Sequence, residues 1–127
     1  MAKIVVKGEG IPKPAGPYSP AIRVGDLIFC AGQVGRNPAT GEIGATIEEQ
    51  TRQVLLNLQT VLKAAGASLS DAVKATVFMA DLGEFSRMNA EYAKFFPVDP
   101  PARSTVGTAL SPGVKVEIEL VAYVGKK

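Results

Sequence analysis

Residues 114–124, Val-Lys-Val-Glu-Ile-Glu-Leu-Val-Ala-Tyr-Val, constrain the fold more than any other stretch. Successive side chains of a strand point to opposite faces. Val116, Ile118, Leu120, Ala122 and Val124 share one face, which must meet a core. Lys115, Glu117, Glu119, Val121 and Tyr123 share the other, which turns apolar at its far end. A strand of this kind belongs in a sheet whose second side is also partly covered.

The rest of the chain supplies its partners. Residues 3–6 read as a short strand, and residues 8–20, rich in Pro and Gly, as an ordered loop. Strands over 20–24 and 27–34 join at Gly25-Asp26, a hairpin signal. Asn37-Pro38 and Thr40-Gly41 mark a longer turn. The clearest helix covers 47–65, with Ile47, Thr51, Val54, Leu55, Leu58, Val61, Leu62 and Ala65 on one stripe. Thr46 and Glu49 predict a reciprocal capping box, and Gly66 a left-handed stop.

Residues 72–79 predict a strand in which Val73, Ala75, Val77 and Met79 share a face. Asp81 and Glu84 can cap a second helix running to about 96, with Phe85, Met88 and Tyr92 on its apolar stripe. Pro97, Pro100 and Pro101 then require an extended connector. Strands over 102–108 and 114–124 complete the order β-β-β-α-β-α-β-β. This is an α+β layer: two helices on one face of a mixed or mostly antiparallel sheet of about six strands. Two helices cover one side only, so the other side is expected to meet another subunit.

The length, 127 residues, fits a single domain spanning 1–127. A net charge of +2, with basic residues scattered apart from the terminal Lys126-Lys127, gives no phosphate-tracking stripe and no polybasic membrane surface. One cysteine, Cys30, rules out an internal disulfide and points to a reducing compartment. The N-terminal apolar run of three residues is too short for a signal peptide. A cytoplasmic protein is expected. The chain has no histidine. That excludes Ser-His and Cys-His nucleophilic pairs and, with a single cysteine, makes a zinc site untenable. Chemistry must rest on Arg, Glu, Asp, Lys, Tyr or backbone groups.

Arg103 shares a strand face with Thr105 and Gly107. It reads either as a solvated edge charge or as a bidentate anchor for a carboxylate. Glu117 and Glu119 fall on one face about 7 Å apart, which suits either acid–base work or a solvated strand. Asn89 lies on the second helix's stripe and needs hydrogen-bond partners; holding a loop is its plainer role. Tyr18 reads equally as core plug or pocket wall. Cys30 reads as a buried small hydrophobe. Gly32 permits close approach of a ligand or another chain segment.

These residues carry a resemblance. Gly16-Pro17-Tyr18, Ala31-Gly32-Gln33, Asn89-Ala90-Glu91-Tyr92-Ala93-Lys94-Phe95-Phe96 and Pro101-Ala102-Arg103-Ser104, in this order and spacing, resemble the RidA (YjgF, liver perchloric-acid-soluble protein) family of reactive intermediate deaminases. The resemblance implies a chorismate-mutase-like fold and a homotrimer with an inner barrel and sites between subunits. It implies hydrolysis of 2-iminobutanoate and 2-iminopropanoate, released by pyridoxal-phosphate-dependent dehydratases, with no cofactor of its own. It assigns Arg103 as carboxylate anchor, Glu117 as the residue that orients water, and Tyr18 as pocket wall. Asn89 falls near the cleft, and the N–H groups of Gly32 and Thr105 are available to a carboxylate oxygen. Many bacterial members have serine at Ala31 and cysteine at Thr105, which bears on substrate preference. Arg103 and Glu117 are expected to converge from neighbouring strands on one sheltered cleft. Two other functions stay open at this point: RNA cleavage, described for some relatives, and non-catalytic binding of small carboxylates.

Overall fold

The computed structural model describes residues 2–125; the Lys126-Lys127 pair lies outside them. Six strands and two helices alternate as expected: β1 (Ile4–Val5), β2 (Ala21–Val24), β3 (Leu27–Val34), α1 (Ile47–Ala64), β4 (Ala72–Met79), α2 (Phe85–Ala93), β5 (Ala102–Gly107) and β6 (Val116–Tyr123). The strands form one sheet in the order β1-β2-β3-β6-β4-β5. Only β4 and β5 pair in parallel, because α2 carries the chain back over the sheet between them. The β2–β3 hairpin turns at Gly25, whose φ of 56° suits glycine.

Both helices lie on one face. α1 packs on β3 and β6, and α2 packs on α1. Val54, Leu55, Leu58, Val61 and Leu62 of α1 are fully buried against Ile28, Val116, Ile118 and Ala122 of the sheet. Burying a side chain of this size contributes about 1.5–3 kcal/mol, so this layer dominates the stability. Gly66, with φ 83°, ends α1 as expected. Its N–H donates to Lys63 and that of Ala67 to Leu62, which closes the last turn.

Several local expectations are corrected. The Thr46 hydroxyl does accept from Glu49 N–H, but the Glu49 carboxylate receives the Thr46 hydroxyl, not its N–H, so the capping box is half formed. In β4 a bulge between Ala72 and Lys74 exchanges faces, leaving Ala72 buried and Val73 exposed. α2 stops at Ala93, not near 96, and is entered through a 3₁₀ turn capped by Asp81 alone. The N–H groups of Lys94, Phe95 and Phe96 reach back three residues, a tightened exit that Pro97 requires. The connector is not extended throughout: Asp99 adopts φ 47° and bends it, and Pro100 and Pro101 line one cleft with Asn89, Tyr92 and Ala93 of α2.

The other face of the sheet carries no helix. Leu27, Phe29, Val121 and Tyr123 form its apolar end, and Leu27, Phe29 and Tyr123 are each about two-fifths exposed. Glu117 and Glu119 form its polar end.

Candidate functional site

Arg103 leaves the edge strand β5 on the helix-covered side, in the row of Ala75 and Leu120. Its guanidinium lies over two rings of α2, 4.8 Å from the Tyr92 centroid and 5.6 Å from that of Phe85. No carboxylate pairs with it among the described residues. It opens onto a cleft of about 330 Å³ walled by Ala93, Phe96, Pro100 and Pro101 and shared with Asn89 and Tyr92. The Asn89 Oδ1 and the Tyr92 hydroxyl are buried and have no hydrogen-bond partner. Asn89 therefore does not hold a loop through that oxygen, contrary to its plainer reading. Burial raises the Tyr92 phenol above its ordinary pKa; the Arg103 charge, and the approach of its guanidinium to the hydroxyl at less than good hydrogen-bond geometry, oppose that rise. A cationic donor beside two unsatisfied polar atoms and an apolar wall can hold a small carboxylate with an apolar side chain.

Glu117 stands on the uncovered face, in the row of Phe78 and Val106. It folds over Gly32: a Cβ on that glycine would lie 3.1 Å from the Glu117 Cγ and Cδ, and closer still to Oε2. The β3–β6 register slips between Cys30 and Gln33, and this bulge turns Gly32 toward Glu117. Desolvation, and then repulsion from Glu119, raise the Glu117 carboxyl above the ordinary carboxylate range. A carboxylate of this kind is better placed to take a proton near neutral pH.

Arg103 and Glu117 do not converge within one chain. β4 lies between their strands, and the two side chains leave opposite faces of the sheet. The structure brings together Arg103 and Asn89, with Thr105 on the same face of β5, and separately Glu117 with Gly32. Ala31, beside Gly32, is half-buried, and its N–H donates to Pro20. Tyr18 lines a third hollow of about 380 Å³ with Val6, Ile11 and Pro12, and its hydroxyl accepts from Ala15 N–H. It is half-exposed, which makes it a wall and not a core plug. Cys30 faces the core, and burial pushes its thiol up to about 12. The stacking of Arg103 on Phe85 and Tyr92 was not anticipated. Their spacing of seven on one helix stripe was visible, but the parallel β4–β5 pairing that delivers Arg103 to that stripe was not.

An uncovered sheet face, an arginine cleft at the sheet edge and a glutamate over a strand glycine are all carried by one α+β sheet with both helices on its other side. The chain belongs to the YjgF/RidA family: residues 9–124 match the family described as Endoribonuclease L-PSP. It is 46% identical over 124 residues to the chloroplastic Reactive Intermediate Deaminase A of Arabidopsis thaliana, spanning 96% of this chain and 66% of that one. The structure of a conserved Rid-family protein from Yersinia pestis superposes with a TM-score of 0.92 at 42% identity, covering 97% of this chain and 100% of that one. The E. coli TdcF structure with bound serine gives 0.92 at 36% identity, covering 96% and 99%.

Proposed function

We propose that this protein is a cytoplasmic deaminase that hydrolyses 2-iminobutanoate and 2-iminopropanoate to 2-keto acids and ammonia. The observation that carries this reading is the Arg103 cleft, where a guanidinium without a carboxylate partner meets the unpartnered Asn89 Oδ1 and Tyr92 hydroxyl. Serine bound to TdcF supports a ligand of amino-acid size with a carboxylate. Arg103 grips that carboxylate and fixes the imine carbon. Water adds to the protonated imine carbon, giving up a proton to Glu117. Glu117 returns that proton to the amino group of the carbinolamine, which expels ammonia while its hydroxyl proton passes to the departing amine, leaving the keto acid and ammonium. A protonated imine is already electrophilic, so neither a nucleophilic side chain nor a cofactor is needed. General-base help of this kind contributes about 10²–10⁴-fold.

Because Arg103 and Glu117 leave opposite faces, the complete site needs two copies: the Arg103 side of one and the Glu117 face of the next. The apolar end of that face supports burial against a second copy. We place the sites between the subunits of a homotrimer. The endoribonuclease of the family's description finds less support in this chain. It has no histidine, and the polar end of the open face presents two carboxylates, which repel phosphate. Pure carboxylate binding leaves Glu117 without a purpose.

The test couples a threonine dehydratase to keto-acid detection. The protein is expected to accelerate keto-acid release beyond the spontaneous rate, with Arg103→Ala raising KM and Glu117→Gln lowering kcat. No acceleration by the parent protein, or full activity in both variants, would end the reading.

A further inference from the structure

Two rings, not an acid, hold the Arg103 guanidinium. Phe85 and Tyr92 stand seven residues apart on α2, about 10 Å along the helix axis. The guanidinium spans the gap, 5.6 Å from one ring centroid and 4.8 Å from the other. A carboxylate partner would occupy the N–H donors of the anchor and compete with the ligand. Rings attract the cation through its face and leave its edge donors free. Tyr92 adds a second signal. It is 5% exposed, and its hydroxyl, close enough to the Arg103 guanidinium for that donor to lower its pKa, makes no hydrogen bond of good geometry and has its own proton undirected in a residue lining the cleft. Buried hydroxyls without partners are rare and costly, and a ligand oxygen relieves that cost.

We propose that the carboxylate anchor is a unit of three side chains: Arg103 grips the carboxylate, Phe85 and Tyr92 fix the guanidinium by their ring faces, and the Tyr92 hydroxyl donates to the same ligand. Phe85 is a positioning residue, whereas Tyr92 both positions and binds. This deepens the deaminase reading and rests on its carboxylate anchor.

The experiment uses the full chain in its assembled form. Calorimetry gives Kd for 2-oxobutanoate, a stable keto acid, and the coupled assay gives KM and kcat. Arg103→Ala is expected to weaken 2-oxobutanoate by about 10- to 100-fold, the range of a charged hydrogen bond. Phe85→Leu, at a partly exposed site that tolerates the change, is expected to raise Kd and KM by about 3- to 10-fold while kcat stays within about two-fold. Phe85→Tyr, which keeps a ring there, recovers most of that affinity. Tyr92→Phe keeps the ring, loses the hydroxyl and raises Kd by about 3- to 10-fold. The three-residue unit is overturned, with the anchor intact, if Arg103→Ala weakens binding but either Phe85→Leu or Tyr92→Phe leaves Kd unchanged. It is overturned equally if these variants lower only kcat. An unchanged Kd in Arg103→Ala overturns the anchor itself and the unit with it.

Discussion

Gln50 is the residue whose loss should be felt furthest from its position. It sits on α1 and is 1% exposed. Its Nε2 donates to the carbonyls of Gly44 and Gly113 at 2.8 and 2.9 Å, and its Oε1 accepts from Lys115 N–H at 2.8 Å. One amide thus ties the turn before α1 to the entry of β6, two residues ahead of Glu117. Gln50→Leu keeps the volume and removes all three bonds. Each is worth about 1 kcal/mol net, and the half-buried Gly44 carbonyl and Lys115 N–H add about 1 kcal/mol each when left unpaired. Water replaces the partner of the exposed Gly113, and burial of leucine returns about 1–2 kcal/mol. The net loss is about 3 kcal/mol. Unfolding entropy of about 2.1 cal/mol/K per residue then converts this to a fall in Tm of about 11 °C for a chain of this length. The assay is thermal unfolding followed by circular dichroism at fixed protein concentration, since assembly also shifts Tm. A fall of less than about 3 °C would refute the claim that this amide joins the two segments.

Four further expectations concern Gly32, Glu117, Glu119 and Cys30. Gly32→Ala pushes the Glu117 carboxylate off its place, so keto-acid release should slow by about 10- to 100-fold with little change in Tm; unchanged turnover would contradict the close approach of Gly32 and Glu117. Because Glu117 titrates above the ordinary carboxylate range, partly through repulsion from Glu119, activity should fall on acidification at a higher pH than that range. Glu119→Gln should move this acid limb of the pH–rate profile to lower pH. In the same way a raised pKa in the fold favours the protonated form. That stability is present at low pH and lost as pH rises through the folded pKa, so Glu117→Gln should not lower Tm at neutral pH. Cys30, buried with its thiol near 12, should resist thiol reagents in native protein and react fully in denaturant, as counted by absorbance.

The periodic elements were legible because each buries one continuous face. β4 keeps its alternation from Ala75 to Met79, and α1 follows its stripe from Ile47 to the Gly66 stop. The misses share a cause: they depend on groups distant in sequence. Val73 continues the alternation of β4, but a register slip against β6 turns it outward. Gln50 and Asn57 occupy buried positions of α1 where the pattern asks for apolar residues. Their amides are accepted only because carbonyls of loops and of the end of β3, 6 to 63 residues away, receive their donors. The site residues were named from a family resemblance, and alternation alone places Glu117 and Glu119 on one face. The relation of Arg103 to Glu117 was not legible. Strand order decides which face a residue shares with a distant one, and order follows from the crossover through α2 rather than from local pattern.

The central position of β6 has a consequence for how the molecule is made. β6 follows the other five strands in the chain yet lies between β3 and β4. Until it emerges from the ribosome, β1-β2-β3 and β4-β5 are two separate half-sheets, each with an unpaired inner edge. Such edges are where nascent chains join wrong partners. Folding should therefore be late and abrupt, completed by insertion of one strand that also brings Glu117 to Gly32, so that the half-life of the incomplete chain, rather than the stability of the finished one, sets the yield of active protein.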